Sequence, residues 1–193
     1  KIAKKKFIKF STNNSAYISS SFPTPLVVNY CQVEALVNFP KINDLNSEFY
    51  IPTSIQSSSI AQIIDNTNNV SWLDLYFVKE NLKSKNGKFV LKVKDSGYTI
   101  ESNTYYDVYD DKNWLILFGI KNDNYTSHYK YGDTDFTAYL HCINENHNDF
   151  YTESLGGDDT IYKNIHFQIG AFQHPSTYYS DVNIGAFRFY QKN

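Results

Sequence analysis

Two polar stretches of the chain, residues 122–135 and 145–160, carry residue types that recognise polar ligands. The first holds Tyr125, Tyr129, Tyr131, Asp133 and Asp135, and the second holds Asn146, Asn148, Asp149 and Tyr151. A tyrosine offers an apolar ring face and a polar tip, while amides and carboxylates bond hydroxyl groups, so together they are the parts of a sugar site. The same Asn and Asp side chains also make good turns, which is the plainer account of any one of them. Asp110, Asp111, Asp158 and Asp159 supply hard oxygens suited to a calcium ion, the one cofactor the residue types suggest.

Catalytic patterns are harder to find. Glycoside hydrolysis needs two carboxyl groups about 5–5.5 Å apart in retaining enzymes, one to protonate the leaving oxygen and one to attack. No Glu-x-Asp-x-x-Glu or near relative occurs: Asp74 and Glu80 are too widely spaced, and Glu145, Asp149 and Glu153 fall in the second polar stretch. Of five histidines, His141 alone has a regular place on an expected strand, where a hydrogen-bonded surface role is the simpler reading. The chain therefore reads as a non-catalytic protein.

The two cysteines, Cys31 and Cys142, each alternate with apolar neighbours (Val33, Ala35 and Val37; Leu140 and Ala138), so both are expected to face inward, as buried free thiols in the first reading and as a disulfide in the alternative. Neither has a partner at zinc spacing. Net charge is -2, and the one basic block is Lys4-Lys5-Lys6, which argues against a nucleic-acid surface. No apolar run reaches the ~18 residues of a membrane span. The chain lacks Met even at position 1, so a piece processed out of a longer chain is expected. Asn13, Asn69 and Asn124 begin Asn-x-Ser/Thr triplets, about as many as chance supplies in a chain this rich in Asn, Ser and Thr.

The elements that must position these residues are strands. With 17 Tyr and 14 Phe in 193 residues, the composition suits half-buried pleated surfaces. Two-residue alternation predicts strands at 7–10, 16–18, 27–39, 58–64, 72–78, 88–94, 98–101, 114–121, 136–144, 165–170 and 184–190. A hairpin of 75–83 with 88–94 is expected around Lys85-Asn86-Gly87, and the single helical candidate is a short one at 40–45. Trp72, Trp114, Phe187 and Phe189 should fill the core. Arg188, alternating with the last two, should face outward and pair with Glu34 or another acid.

Several segments resemble, in order, the laminin G-like and concanavalin A-like domains. Phe7-Ile8-Lys9-Phe10 with Ala16-Tyr17-Ile18 is similar to the opening strand and hairpin. Cys31-Gln32-Val33-Glu34-Ala35-Leu36-Val37 resembles the strand with a Glu-Ala pair, although Leu36 stands where a tryptophan is common. Asp110-Asp111-Lys112-Asn113-Trp114 looks like the acidic turn before a tryptophan-led strand. Phe136-Thr137-Ala138-Tyr139-Leu140 is similar to the next strand, although Asn144-Glu145-Asn146 replaces the usual glycine hairpin after it, and Ile169-Gly170 followed by Ile184-Gly185-Ala186-Phe187-Arg188-Phe189-Tyr190 resembles the closing pair of strands. The resemblance implies an all-β, two-sheet antiparallel jelly roll over residues 1–193 whose first and last strands meet.

Fold does not choose function. The leading expectation is a binding and assembly module on a virion or cell surface, partnered by neighbouring protein subunits. The alternative is a lectin-like module partnered by a glycan, and a glycoside hydrolase of the same fold ranks third.

Overall fold

A computed structural model describes residues 8–9, 17–21, 26–28, 30–39, 57–65, 70–82, 84–93, 97–109, 112–122, 136–156, 161–163, 165–170 and 182–192. Its strands are β1 (Ile8–Lys9), β2 (Tyr17–Ser21), β3 (Leu26–Val28), β4 (Tyr30–Asn38), β5 (Ser57–Asp65), β6 (Val70–Lys79), β7 (Asn86–Val93) and β8 (Tyr98–Glu101). They continue as β9 (Tyr106–Asp107), β10 (Asn113–Asn122), β11 (Phe136–Ile143), β12 (Asn148–Gly156), β13 (Ile161–Lys163), β14 (Ile165–Gly170) and β15 (Asn183–Lys192).

Two antiparallel sheets face each other. One runs β1-β15-β4-β10-β11-β12, the other β2-β14-β5-β6-β7-β8 with β9 beside β7, and β13 pairs β3 separately. The first and last strands meet as expected, with Ile8 opposite Ile184. Among the described residues no helix is long and apolar enough to cross a membrane.

The core is the set of alternate residues that both sheets turn inward. Val33, Ala35 and Val37 on β4, Ile116, Phe118 and Ile120 on β10, and Leu140 on β11 meet Leu73, Leu75 and Phe77 on β6 and Phe89 and Leu91 on β7. Each of the larger side chains contributes about 1.5–3 kcal/mol through burial. An aromatic chain crosses between the sheets: Phe39 to Phe77 (5.0 Å between centroids), Phe77 to Phe89 (5.2 Å), Phe89 to Trp114 (5.4 Å) and Trp114 to Tyr106 (4.8 Å). Trp72 and Trp114 are buried in this core, and Phe187 and Phe189 pack against it through Phe167.

Three details depart from the sequence reading. Residues 27–39 make two strands in different sheets, β3 and β4. The β6–β7 hairpin forms, but it turns over residues 80–85, closed by the Glu80 amide on the Asn86 carbonyl at 2.9 Å, while Gly87 lies within β7 opposite Lys79. A Cβ at Gly87 would collide with the Phe77 ring, so the strands approach closely only because none is there. Residues 145–160, read as a loop, contain β12. β12 escaped notice because both of its faces are polar, as suits a strand at the margin of its sheet. The helical candidate at 40–45 lies outside the described residues.

Candidate functional site

Side chains alternate along a strand, so residues between the core positions of the six-stranded sheet emerge on its outer face. Antiparallel register then sets them in rows across five strands. One row is Ala186, Leu36, Leu115, Ile143, Asn148; the next is Arg188, Glu34, Leu117, His141, Phe150; the third is Tyr190, Gln32, Gly119, Tyr139, Thr152.

A groove of about 540 Å³ opens on this face, within the ~300–1,000 Å³ usual for ligand sites. Leu36, Leu115, Ile143 and Ala186 give it an apolar floor. Glu34 and Arg188 flank the floor on one side, while Lys112, Asn113, Asn144 and Glu145 close the end where β10 begins and β11 finishes.

Glu34 is held from several directions. Gln32 Nε2 donates to its Oε1 at 3.1 Å, Tyr190 donates its hydroxyl to Oε2 at 3.4 Å, and Arg188 Nη1 lies 3.6 Å from Oε2. Gln32 is fixed in turn by the Tyr139 hydroxyl, which donates to Oε1 at 3.1 Å. This is the outward pairing expected of Arg188, and at an exposed position such a bridge is worth about 0–1 kcal/mol. Its consequence is orientation: a carboxylate held at the edge of an apolar floor can accept hydrogen bonds from hydroxyl groups.

At the other end of the second row Phe150 stacks on Tyr139, with centroids 5.9 Å apart and planes 27° apart, and His141 meets its edge at 5.4 Å. His141 Nε2 is 2.6 Å from Asn148 Oδ1, the surface hydrogen bond expected of it.

The predicted site residues separate. Asn148 joins the outer face opposite Ile143, and Asn146 is exposed in the turn whose amides, its own included, bond Asn144 Oδ1. Asp149 and Tyr151 alternate with Asn148 and Phe150, so they turn to the other side. There the Tyr106 hydroxyl donates to Asp149 Oδ2 at 2.7 Å and lies 3.0 Å from the Tyr151 hydroxyl, tying β12 to β9 of the opposite sheet. His147 Nδ1 is 3.4 Å from the same Asp149 oxygen, and its ring stacks on Trp114 at 5.5 Å. Burial and these hydroxyl contacts push the Tyr106 phenol well above its ordinary value, so it stays protonated. Tyr125, Tyr129, Tyr131, Asp133 and Asp135 lie outside the described residues, as do Asp110, Asp111, Asp158 and Asp159 proposed for calcium. Among the described residues no three His, Cys, Asp or Glu side chains gather to hold a metal.

Cys31 and Cys142 are buried free thiols, as read from their alternation. β10 stands between their strands, and Cys31 faces Ile120 whereas Cys142 faces Ile116. Two strand spacings of about 4.8 Å already exceed the reach of a disulfide. Burial raises the Cys31 pKa to about 12 and moves Cys142 in the same direction. Asp74, one of the carboxylates weighed above, is buried and accepts from Gln62 Nε2 at 2.8 Å and from the Ser71 hydroxyl.

The groove residues Leu36, Leu115 and Ile143 went unnoticed in the sequence, although a signal exists. Residues 114–118 read Trp-Leu-Ile-Leu-Phe, apolar on both faces, which marks a strand with something to cover or to bind on each side.

No protein family matches the sequence, and no curated protein matches it significantly. Solved structures do match the fold. The CBM2 module of the evolved Dit of Lactobacillus casei BL23 phage J-1 superposes with a TM-score of 0.54 at 12% identity, covering 90% of this chain and 67% of that one. Domains LG4-5 of the mouse laminin alpha1 chain superpose with a TM-score of 0.55 at 11% identity, covering 97% of this chain and 44% of that one, so this chain spans less than half of the laminin fragment. With its two antiparallel sheets and its paired first and last strands, the chain has the laminin G-like, concanavalin A-like jelly-roll fold.

Proposed function

We propose that the chain is a non-catalytic binding module, displayed on a cell or particle surface, that holds a glycan on the outer face of its six-stranded sheet. The observation that carries this reading is the groove itself: an apolar floor beside a carboxylate held in place by Gln32, Tyr190 and Arg188. Sugars present both an apolar ring face and a fringe of hydroxyls, and the groove offers a counterpart to each. At 11–12% identity the similar structures speak for the fold alone, and the reading rests on the groove.

The test is a glycan microarray probed with the native chain and with a Leu115→Glu variant shown to be folded by circular dichroism. Calcium and chelator arms address the calcium candidates Asp110, Asp111, Asp158 and Asp159. Saturable capture that the variant loses supports the proposal. Capture of nothing, or equal capture by the variant, overturns it.

A second reading, assembly with neighbouring subunits, is favoured by β12, which ends its sheet and leaves Phe150 53% exposed. Light scattering at rising concentration tests it, and a strictly monomeric chain counts against it.

A further inference from the structure

We infer that the ligand is a linear, uncharged oligosaccharide lying across the strands from Arg188 to Phe150; this rests on the glycan reading above. Direction comes from the rows. The apolar positions Ala186, Leu36, Leu115 and Ile143 follow one another from strand to strand, perpendicular to the chain direction. Five strands at about 4.8 Å spacing make a path of about 19 Å, longer than a single sugar ring. The neighbouring row runs parallel to this floor and sets polar groups along it, with Arg188 and Glu34 at one end and His141 beside Phe150 at the other.

Phe150 gives the path an end point. Its ring is positioned by Tyr139 beneath and His141 at its edge, yet more than half of the residue is exposed. A rigid aromatic ring in the open is a stacking platform that loses little entropy on binding. Asn148, on the same strand two residues away, brings an amide next to that platform.

The charge of the ligand follows from the balance of the groove. Its charged lining residues are Lys112 and Arg188 against Glu34 and Glu145, and Arg188 is already engaged by Glu34. Among the described residues the lining thus has no surplus cation to attract a sulfate or a uronate, and the held carboxylate repels them. Hydroxyl-rich, neutral chains meet no such penalty.

Isothermal titration calorimetry tests the inference with cello-, malto- and manno-oligosaccharides of two to six units, beside heparin and oligoalginate hexasaccharides. Affinity within one neutral series should rise at least about tenfold from two units to six, and Phe150→Ala should weaken the hexamer about tenfold while sparing the dimer. Circular dichroism and thermal unfolding of Phe150→Ala, expected to match the native chain, separate loss of the platform from loss of the fold. A dimer bound as tightly as the hexamer, a preference for the charged hexamers, or indifference to Phe150→Ala overturns the inference while leaving a glycan-binding module in place. Failure of every probe here and on the microarray removes both.

Discussion

Tyr139 donates its hydroxyl to Gln32 Oε1 at 3.1 Å across Gly119, which stands between them in register on the intervening strand. The bond exists because the middle strand has no side chain at that point. A Cβ at Gly119 would meet the Cys31 carbonyl and the Gln32 backbone, neither of which can swing away. We expect Gly119→Ala to cost about 1–3 kcal/mol in urea denaturation, the range for overpacked sites. The contrasting position is Gly97, where a Cβ meets nothing and the backbone strain at φ 71° is the whole effect; Gly97→Ala should cost about 1 kcal/mol. A smaller cost at Gly119 than at Gly97 would contradict this account.

The two buried thiols should be silent in the native protein and visible in the unfolded one. A thiol reagent such as DTNB should modify neither Cys31 nor Cys142 under native conditions and both in denaturant. Rapid modification of either in the native state would place it at the surface.

Those thiols also set an alkaline limit on stability. Cys31 ionises near 9.0 when unfolded but only at about 12 in the folded chain. Below pH 9 both states keep the proton and the thiol's contribution is complete. As pH rises from 9 towards 12 the unfolded chain loses its proton first, and stability falls by about 1.4 kcal/mol per pH unit for this group. Cys142 and Tyr106, both shifted upward, add to the fall. Denaturation measured at several pH values above 9 should show a slope shallower by about that amount in Cys31→Ala. An unchanged slope would mean that the burial of Cys31 is not what sets it.

Tyr106 ties the margins of the two sheets together through Asp149 and Tyr151. Tyr106→Phe keeps the ring against Trp114 and removes the hydroxyl, leaving the half-buried Asp149 short of a donor. We expect a loss of about 1–3 kcal/mol, typical for a hydrogen bond to a charged group, with glycan affinity unchanged because Asp149 and Tyr151 face away from the groove. A loss of binding without a loss of stability would move the functional site to the Tyr106 side of β12.

The sandwich was legible because its core strands announce themselves: Val33, Ala35 and Val37, or Ile116, Phe118 and Ile120, alternate with non-core positions over a whole strand. The inward thiols, outward Arg188 and hydrogen-bonded His141 followed from the same parity. β12 was not legible, since Asn148, Asp149, Phe150, Tyr151 and Thr152 show no apolar face and owe their strand to pairing with β11. The groove was hidden for another reason. Leu36, Leu115, Ile143 and Ala186 are scattered over 150 residues and become neighbours only through cross-strand register, which alternation within one strand does not specify. Reasoning from polar composition pointed instead to the two polar stretches, and it grouped Asn148 with Asp149, which alternate on opposite faces of β12.

The most direct test of the central claim is a two-dimensional amide NMR titration of the labelled chain with the tightest neutral hexasaccharide. The account predicts saturable shifts concentrated at Glu34, Leu36, Leu115, Ile143, Phe150 and Arg188, with the amides of Asp149 and Tyr106 far less affected than these. Shifts gathered instead on residues 123–135 and 157–160, with the outer face of the six-stranded sheet unmoved, would contradict it.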